Sequence, residues 1–222
     1  ACLMNNPDKV AECVYEIKQS CDLPISIKTR LGLGYEENLD LLFTLINKTK
    51  VFGCSKYIIH ARNAILNGLS PKKNRKIPVL RYADVTTVKD SFPGLEFYLN
   101  GGVEDISEIR KNINKFDGLM IGRRIYDNPM FLNQIEKEIY NNNETLSRQS
   151  ILKKYLKYAL SLQNKNTSNY LLLRHLFSLY YNTSSSKKWK KFLHDIIQSD
   201  KDIELITNFE ESTYDEEIKA YR

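Results

Sequence analysis

Leu95-Glu96-Phe97-Tyr98-Leu99 runs into Asn100-Gly101-Gly102, and Gly118-Leu119-Met120-Ile121 runs into Gly122-Arg123. Each apolar run has the length and residue types of a buried strand, and a helical pattern follows each. Glycine after a strand lets backbone N–H groups approach a phosphate, as in the loops after the last two strands of a (β/α)8 barrel. Two ordinary turns that need glycine would leave the same pattern, so the rest of the chain has to decide between them.

The segments upstream of these runs alternate between strand and helix periodicity. The predicted elements are a helix from Pro7 to Ile17, a strand at residues 25–30, a helix at 38–48, a strand at 56–62, and helices at 83–90, 106–113 and 131–140. Asn5 or Asn6 is a candidate cap for the first helix, with Pro7 in its first turn. A helix followed by four strand–helix units predicts an α/β fold with a parallel sheet and helices outside it.

The character of the sequence changes after a polar linker at residues 141–144. Three helices are predicted beyond it, at 151–162, 170–181 and 188–198. Between Arg148 and Ser199 ten basic residues face one acidic residue, whereas residues 200–222 hold eight acidic residues against three basic ones. We therefore predict two domains: an α/β domain at 1–140 and an all-helical, basic domain at 145–222.

The overall composition is that of a soluble globular protein that favours a polyanionic partner. The net charge is +6 and the pI is about 9.0. Four cysteines show no CxxC pair and no zinc-like spacing with the histidines, so we expect reduced thiols, no metal and an intracellular location. No apolar stretch is long enough to span a membrane, and the oligomeric state is not indicated.

Polar side chains end four consecutive predicted strands, at the edge where barrel active sites gather. They are Lys28 with Arg30, His60 with Arg62, Asn100, and Arg123. Considered alone, His60 is more simply explained as a structural histidine. Considered alone, Lys28 is more simply explained as a lysine at the solvent-exposed end of a strand. Four such endings in a row favour a shared site, in which Lys28 and His60 approach the electron-rich edge of a conjugated ring.

The loop at residues 67–78 and the last predicted helix are further candidates. The loop is long for a connection in an α/β fold, and loops of that length are often functional. The helix places Lys187, Lys188, Lys190 and Lys191 around Trp189, which is typical of a nucleic-acid-binding surface but also of an ordinary amphipathic helix. We expect the aromatic side chains in the core and the lysines facing RNA.

These motifs together resemble the tRNA-dihydrouridine synthases, most closely the bacterial A-type branch. The matching stretches are Ala1-Cys2-Leu3-Met4, residues 27–32, residues 58–62, Gly68-Leu69-Ser70-Pro71-Lys72 with Asn74-Arg75 and Ile77-Pro78, Asn100-Gly101-Gly102, and residues 117–123 through Asn128-Pro129. A weaker match continues at residues 174–177 and 189–191. The Gly-Leu-Ser-Pro loop is the motif most specific to that branch.

The resemblance implies an FMN-binding TIM barrel and a helical domain that grips tRNA. Lys28 and His60 correspond to flavin-ring and ribityl contacts, and the phosphate cradle corresponds to Asn100, Gly101, Gly102, Gly122 and Arg123. The substrate and RNA contacts correspond to Arg30, Arg62, Lys72, Arg75, Arg174, Lys187, Lys188, Lys190 and Lys191. NADPH would reduce the flavin, which would pass a hydride to a uridine at position 20 or 20a of the tRNA D-loop.

The sequence departs from the family at the catalytic acid. In the family a cysteine lies in an Asn-x-Gly-Cys-Pro segment shortly before the Ala-Cys-Leu-Met stretch, and none of Cys2, Cys13, Cys21 or Cys54 matches that position. We expect the C-terminal half of a (β/α)8 barrel followed by a helical bundle, a longer natural protein, and no activity from this chain alone. The compartment, cytoplasmic or organellar, would depend on the missing segment.

Two other functions are compatible with parts of the pattern. Another FMN barrel, such as a dihydroorotate-type or enoate reductase, would share the strand ends but not the basic helical part or the Gly-Leu-Ser-Pro loop. A tRNA-binding protein without catalytic activity would share the basic helices. Salt-sensitive tRNA binding would not separate the second alternative from the enzyme, because both predict it.

Overall fold

The computed structural model describes residues 1–162, 167–199 and 202–209. By compactness the chain divides into two units, residues 1–121 and residues 122–222. The sequence-based domain limits of 1–140 and 145–222 differ from these units in where residues 122–140 are placed.

The first unit is an α/β structure whose sheet has the parallel order β1-β2-β3-β4. Its elements are α1 (Pro7–Ser20), β1 (Ser26–Arg30), α2 (Asp40–Lys50), β2 (Lys56–His60), α3 (Tyr82–Ser91), β3 (Glu96–Asn100), α4 (Ile106–Asn112) and β4 (Gly118–Met120). The helix α1 begins as predicted, because Pro7 lies in its first turn and Asn6 Oδ1 accepts a hydrogen bond of 3.1 Å from the Lys9 N–H. The parallel sheet predicted from the alternation of strands and helices is confirmed.

Alternation along β1 and β3 gives the sheet one apolar face and one more polar face, whereas β2 is buried on both faces. Tyr57, Ile59, Phe97 and Leu99 are fully buried and pack in one core with side chains of α1, α2 and α3. The residues between them in sequence, including His60 and the ends of the neighbouring strands, therefore project from the opposite face. The burial of one face fixes the register, and the register fixes which polar side chains are neighbours.

The described part of the second unit contains helices only. They are α5 (Arg123–Asp127), α6 (Phe131–Ile139), α7 (Arg148–Leu162), α8 (Asn169–Leu173) and α9 (Ser186–Gln198), with short 3-10 helices at Arg174–Leu176 and Ile203–Asn208. The core of this unit is centred on Trp189, which is fully buried and contacts the rings of Tyr180 and Phe209 at centroid distances of 4.9 Å. The predicted burial of Trp189 is confirmed.

One predicted helix is wrong. Residues 170–181 were expected to form a single helix, but α8 ends at Leu173 and the chain continues through a 3-10 turn. Carbonyl oxygens in this segment accept tertiary hydrogen bonds: Leu172 from Tyr155 Oη at 2.7 Å, and Leu176 from Trp189 Nε1 at 2.7 Å. Periodicity along the chain does not reveal such bonds, because their donors are remote in sequence.

No helix within the described residues is long and apolar enough to cross a membrane. Of the acidic tail predicted at 200–222, only residues 202–209 are described, and Lys165 of the basic segment also lies outside the described residues.

Candidate functional site

The carboxyl ends of β1 and β3 are joined by their polar side chains. Lys28 Nζ donates a hydrogen bond of 2.9 Å to Asn100 Oδ1. Asn100 Nδ2 in turn donates a bond of 2.7 Å to the Met120 carbonyl at the end of β4. Because the amide nitrogen is committed to Met120, the amide oxygen of Asn100 is held facing Lys28.

His60 lies in the same group. The register pairs Arg30 with His60, His60 with Asn100, and Asn100 with Met120, so these four residues form one row across the polar face. Lys28 lies one row lower, opposite Ile58, and reaches Asn100 diagonally across β2. The structure thus brings together Lys28, His60 and Asn100, as predicted from the strand ends.

The turn after β3 is shaped by two glycines with positive φ, Gly101 at +98° and Gly102 at +74°. A Cβ on Gly101 would lie 3.0 Å from His60 Nε2, and a Cβ on Gly102 would lie 2.4 Å from Leu80 Cδ1. The Gly102 N–H, one residue beyond the strand, donates to no backbone acceptor within the described part of the chain. A glycine-lined turn that presents a backbone donor beside a histidine is suited to an anion.

Tyr82, at the start of α3, holds this turn from the other side. Its hydroxyl donates a hydrogen bond of 2.7 Å to the Gly101 carbonyl, and burial raises the pKa of the phenol. A Cβ on Gly102 would lie 2.6 Å from the same hydroxyl oxygen. Tyr82 was not among the predicted site residues, because its partner is remote in the chain and no local motif marks the contact.

Arg30 and Arg62 organise the long loop between β2 and α3. Arg30 Nη1 donates to the carbonyl oxygens of Asn63 and Asn74, both at 2.9 Å. Arg62 Nη1 donates to the carbonyl oxygens of Lys76, at 3.3 Å, and Pro78. Both arginines therefore have a structural role that the sequence did not predict, in addition to any role toward a substrate.

Asn74 closes the loop from inside. Its amide nitrogen donates to the carbonyl oxygens of Ile65 at 2.7 Å and Leu69 at 3.1 Å, and its amide oxygen accepts from the Ile65 N–H at 2.7 Å. These bonds give the loop a defined conformation around a short 3-10 helix at Lys73–Arg75. Lys72 and Arg75, two predicted RNA contacts, are exposed on it.

Burial and neighbouring cations lower the pKa of two basic side chains of this region, Arg30 and Lys28. Burial, followed by the charges of Arg62 and Arg75, lowers the pKa of Arg30. Although much of the Lys28 residue is exposed, partial burial of its ammonium and then the charge of Arg30 lower its pKa as well. Clustered cations with lowered pKa values gain stability when an anion binds near them.

A cavity of about 460 Å³ lies at the β1 edge of the sheet, where Lys28 and Arg30 line it together with apolar residues such as Val10, Ile27 and Leu45. His60, Asn100 and the Gly101-Gly102 turn are not among its lining residues. Its volume is within the range of small-molecule sites. The described residues contain no group of side chains that could hold a metal ion. Cys54 is buried just before β2, at the edge of the sheet opposite to Lys28 and Asn100, and burial raises the pKa of its thiol.

Gly122 and Arg123 open the second unit. Gly122 precedes α5 and has open space where a side chain would be, and Arg123 is exposed. Their predicted part in a phosphate cradle stays a prediction. The same holds for the predicted RNA contacts of the second unit, which are all exposed: Arg174, Lys187, Lys188, Lys190 and Lys191.

Comparison with known proteins extends these observations. Residues 1–218 match the family model described as dihydrouridine synthase (Dus). The chain is 35% identical over 197 residues to the tRNA-dihydrouridine(20/20a) synthase of Shewanella oneidensis, and the match covers 88% of this chain and 58% of the relative. The proteins of the same name from Synechocystis and Escherichia coli K12 are 34% and 33% identical, over 59% and 57% of their lengths. The chain thus spans less than two thirds of these relatives.

Proposed function

The chain belongs to the dihydrouridine synthase family, and on that premise we propose that the protein reduces uridine to 5,6-dihydrouridine in the D-loop of tRNA. We place the reaction at positions 20 and 20a, with FMN as the bound cofactor and NADPH as the source of electrons. The observation that carries this proposal is the convergence of Lys28, Asn100, His60 and the Gly101-Gly102 turn on one end of one face of the sheet.

The residues present fit a flavin mononucleotide. The turn offers bare glycine backbone without a side chain, which suits the phosphate. Lys28 places a positive charge beside the cavity along β1, where a planar ring would have room. When bound, a flavin supplies hydride transfer, and a nearby cation favours its reduced, anionic form. Asn100 Oδ1 accepts a hydrogen bond from the Lys28 ammonium and fixes its position. The His60 ring packs against Gly101 of the turn.

Each unit also offers cations to an RNA. In the first unit the loop presents Lys72 and Arg75, and Arg30 Nη2 has no hydrogen-bond partner among the described residues. In the second unit α9 presents exposed lysines while Trp189 remains in the core. A uracil ring inside a helix stack is out of reach of a flavin, so the target nucleotide would be held out of its stack.

We further propose that the four parallel strands belong to a (β/α)8 barrel and that the described helices of the second unit belong to a tRNA-binding bundle. Both proposals rest on membership of the family. The chain covers only part of the length of its relatives in that family. The position of Lys28 and Asn100 at the carboxyl ends of the strands supports the barrel, because barrel active sites lie at that face.

The proposal is tested with the protein expressed from its complete gene and supplied with FMN, NADPH and unmodified tRNA transcript. Dihydrouridine is then mapped along the tRNA by chemical probing and mass spectrometry. We expect it at position 20 or 20a, dependent on NADPH. If the protein oxidises NADPH with a small-molecule acceptor but never modifies tRNA, another flavin reductase is the better account. If it binds tRNA and no flavin, it is an RNA-binding protein.

A further inference from the structure

A second cavity, of about 200 Å³, lies beside the proposed flavin site and shares none of its residues. It is enclosed by the loop that follows β1 and the loop that follows β2, and its apolar lining consists of Ile65, Leu69, Ile77, Pro78 and Val79. Because both loops leave the carboxyl ends of their strands, the cavity lies at the edge of the sheet where a substrate would approach. The proposed flavin chemistry gives it no function.

Large apolar side chains stand open to solvent around the mouth of this cavity. Tyr35 is 80% exposed, Val79 is 70% exposed and Ile77 is 58% exposed, and all three line it. Single exposed apolar residues are common on protein surfaces, but a group of them around one cavity indicates a binding surface.

The cavity is held open by hydrogen bonds that join the two loops. Asn63 Nδ2 donates to the carbonyl oxygens of Gly34 at 3.2 Å and Glu36 at 2.7 Å. Asn63 Oδ1 accepts a bond of 3.2 Å from Arg81 Nη2, and Arg81 also pairs with Asp84 at 2.9 Å. A ligand would therefore enter a preformed site, without the entropic cost of ordering the loops.

The charges nearby select the class of ligand. The second loop carries four exposed cations, Lys72, Lys73, Arg75 and Lys76, on the segment that leads to Ile77 and Val79. An aromatic and aliphatic cavity beside a run of cations suits a nucleobase on a phosphate backbone. Glu36 and Glu37, next to Tyr35, would repel a phosphate, although Glu37 Oε1 lies 3.7 Å from Arg81 Nη1. The base therefore belongs on the Tyr35 side and the backbone on the lysine side.

We propose that this cavity receives an unpaired nucleobase of the RNA substrate, other than the uridine that is reduced, and that Tyr35 stacks on that base. The identity of the RNA rests on the proposed function. An exposed tyrosine ring can stack on any base, because every base has a π-face. The cavity would thus fix the position of the RNA strand without reading its sequence.

The test compares RNA binding by wild type, Tyr35→Ala and Tyr35→Phe, all expressed from the complete gene. Dissociation constants for unmodified tRNA transcript are measured by fluorescence anisotropy across a salt series. Loss of one base–aromatic stack predicts about tenfold weaker binding for Tyr35→Ala and near wild-type binding for Tyr35→Phe. Tyr15→Ala, which removes a tyrosine 43% exposed on α1 of the first unit, is the matched control and should bind like wild type.

The salt series separates stacking from charge. Tyr35→Ala should leave the slope of log K against log salt unchanged, because stacking releases no counterions. Arg75→Gln should reduce the magnitude of that slope by about one. Val79→Asp, which places a carboxylate at the mouth of the cavity, should weaken binding as well and gives a second variant that does not depend on Tyr35.

Wild-type affinity in both Tyr35→Ala and Val79→Asp would overturn the inference. So would a loss of thermal stability in Tyr35→Ala with unchanged RNA affinity, since that result would mean that another protein segment covers the cavity. If the wild-type protein binds tRNA but forms no dihydrouridine, the proposed function is wrong. The stacking proposal is then still decided by the dissociation constants of the Tyr35 and Val79 variants relative to wild type. A wild-type protein that does not bind tRNA would remove both.

Discussion

Lys28 and Asn100 lie on strands that are not neighbours, and the hydrogen bond of 2.9 Å from Lys28 Nζ to Asn100 Oδ1 crosses β2 to join them. A second hydrogen bond, from Asn100 Nδ2 to the Met120 carbonyl oxygen, fixes the Asn100 side chain. Asn100 therefore positions the Lys28 ammonium. The result is a positive charge held at the carboxyl edge of the sheet, beside a turn of bare backbone.

Removing either partner of this pair should weaken FMN binding. We expect Lys28→Met to raise the dissociation constant of FMN by about ten- to a hundredfold, from the loss of a charge-assisted contact. Asn100→Ala should act partly through Lys28, so the effects of the two substitutions should not add in the double variant. Lys56→Met is the control, because Lys56 is at the opposite end of β2 and pairs with Glu96 at 3.2 Å. Additive effects in a fluorescence titration would refute the coupling.

The lowered pKa of Lys28 predicts how FMN binding depends on pH. The ammonium loses its charge at a lower pH than an ordinary lysine, so affinity should fall as pH rises through that pKa. In the ligand-free protein the charged form costs folding free energy below this pKa, and the cost fades as pH rises from this pKa to the ordinary lysine pKa of the unfolded chain. Titrations of wild type and Lys28→Arg across neutral and alkaline pH check this, because arginine stays charged. Parallel curves for the two proteins would count against a charged role of Lys28.

Alanine in place of glycine should destabilise the fold to different degrees before and after β3. Gly94, Gly101 and Gly102 all have positive φ, but a Cβ on Gly94 would meet nothing within 4 Å. We expect about 1 kcal/mol from strain alone in Gly94→Ala, and about 2–4 kcal/mol in Gly102→Ala, where the Cβ also crowds Leu80 and Tyr82. Urea unfolding measures both. Equal losses would mean that the close packing around Gly102 contributes nothing.

Tyr82→Phe tests whether the hydroxyl positions the turn. The substitution keeps the ring and removes the donor to the Gly101 carbonyl, so we expect a loss of about 1 kcal/mol in the free energy of unfolding. FMN affinity should fall as well, because the N–H groups of the turn lose their fixed direction. Tyr140→Phe, at an exposed position, is the control. A stability loss with unchanged FMN affinity would make Tyr82 a structural residue only.

The basic face of α9 should bind RNA without contributing to folding. Lys190 and Lys191 are exposed, whereas Trp189 is fully buried. Trp189 Nε1 donates a hydrogen bond of 2.7 Å to the Leu176 carbonyl oxygen. Replacing both lysines by glutamine should reduce the salt slope of tRNA binding by about two, with little change in thermal stability. Trp189→Phe should lower the thermal stability and leave the salt slope of tRNA binding unchanged. The control is Lys18→Gln in the first unit, which should change neither quantity.

The sheet and its polar face could be predicted because both follow from local rules. Alternation in β1 and β3 fixes which side chains share a face, and parallel order brings their carboxyl ends to one edge. The bond between Lys28 and Asn100 follows from that placement. The contacts of Arg30, Arg62 and Tyr82 with backbone carbonyl groups could not be predicted in this way, because they depend on how a long loop folds back. The same reason explains the helix broken after Leu173, whose carbonyl partners come from remote segments.

The most direct test of the account is the visible absorbance spectrum of the protein purified from its complete gene, with the bound cofactor identified by mass spectrometry. We expect an oxidised flavin spectrum from FMN that NADPH bleaches, and loss of most of that flavin in Lys28→Met. A well-folded wild-type protein that neither retains FMN nor binds it when titrated would contradict the claim that these strand ends form a flavin site.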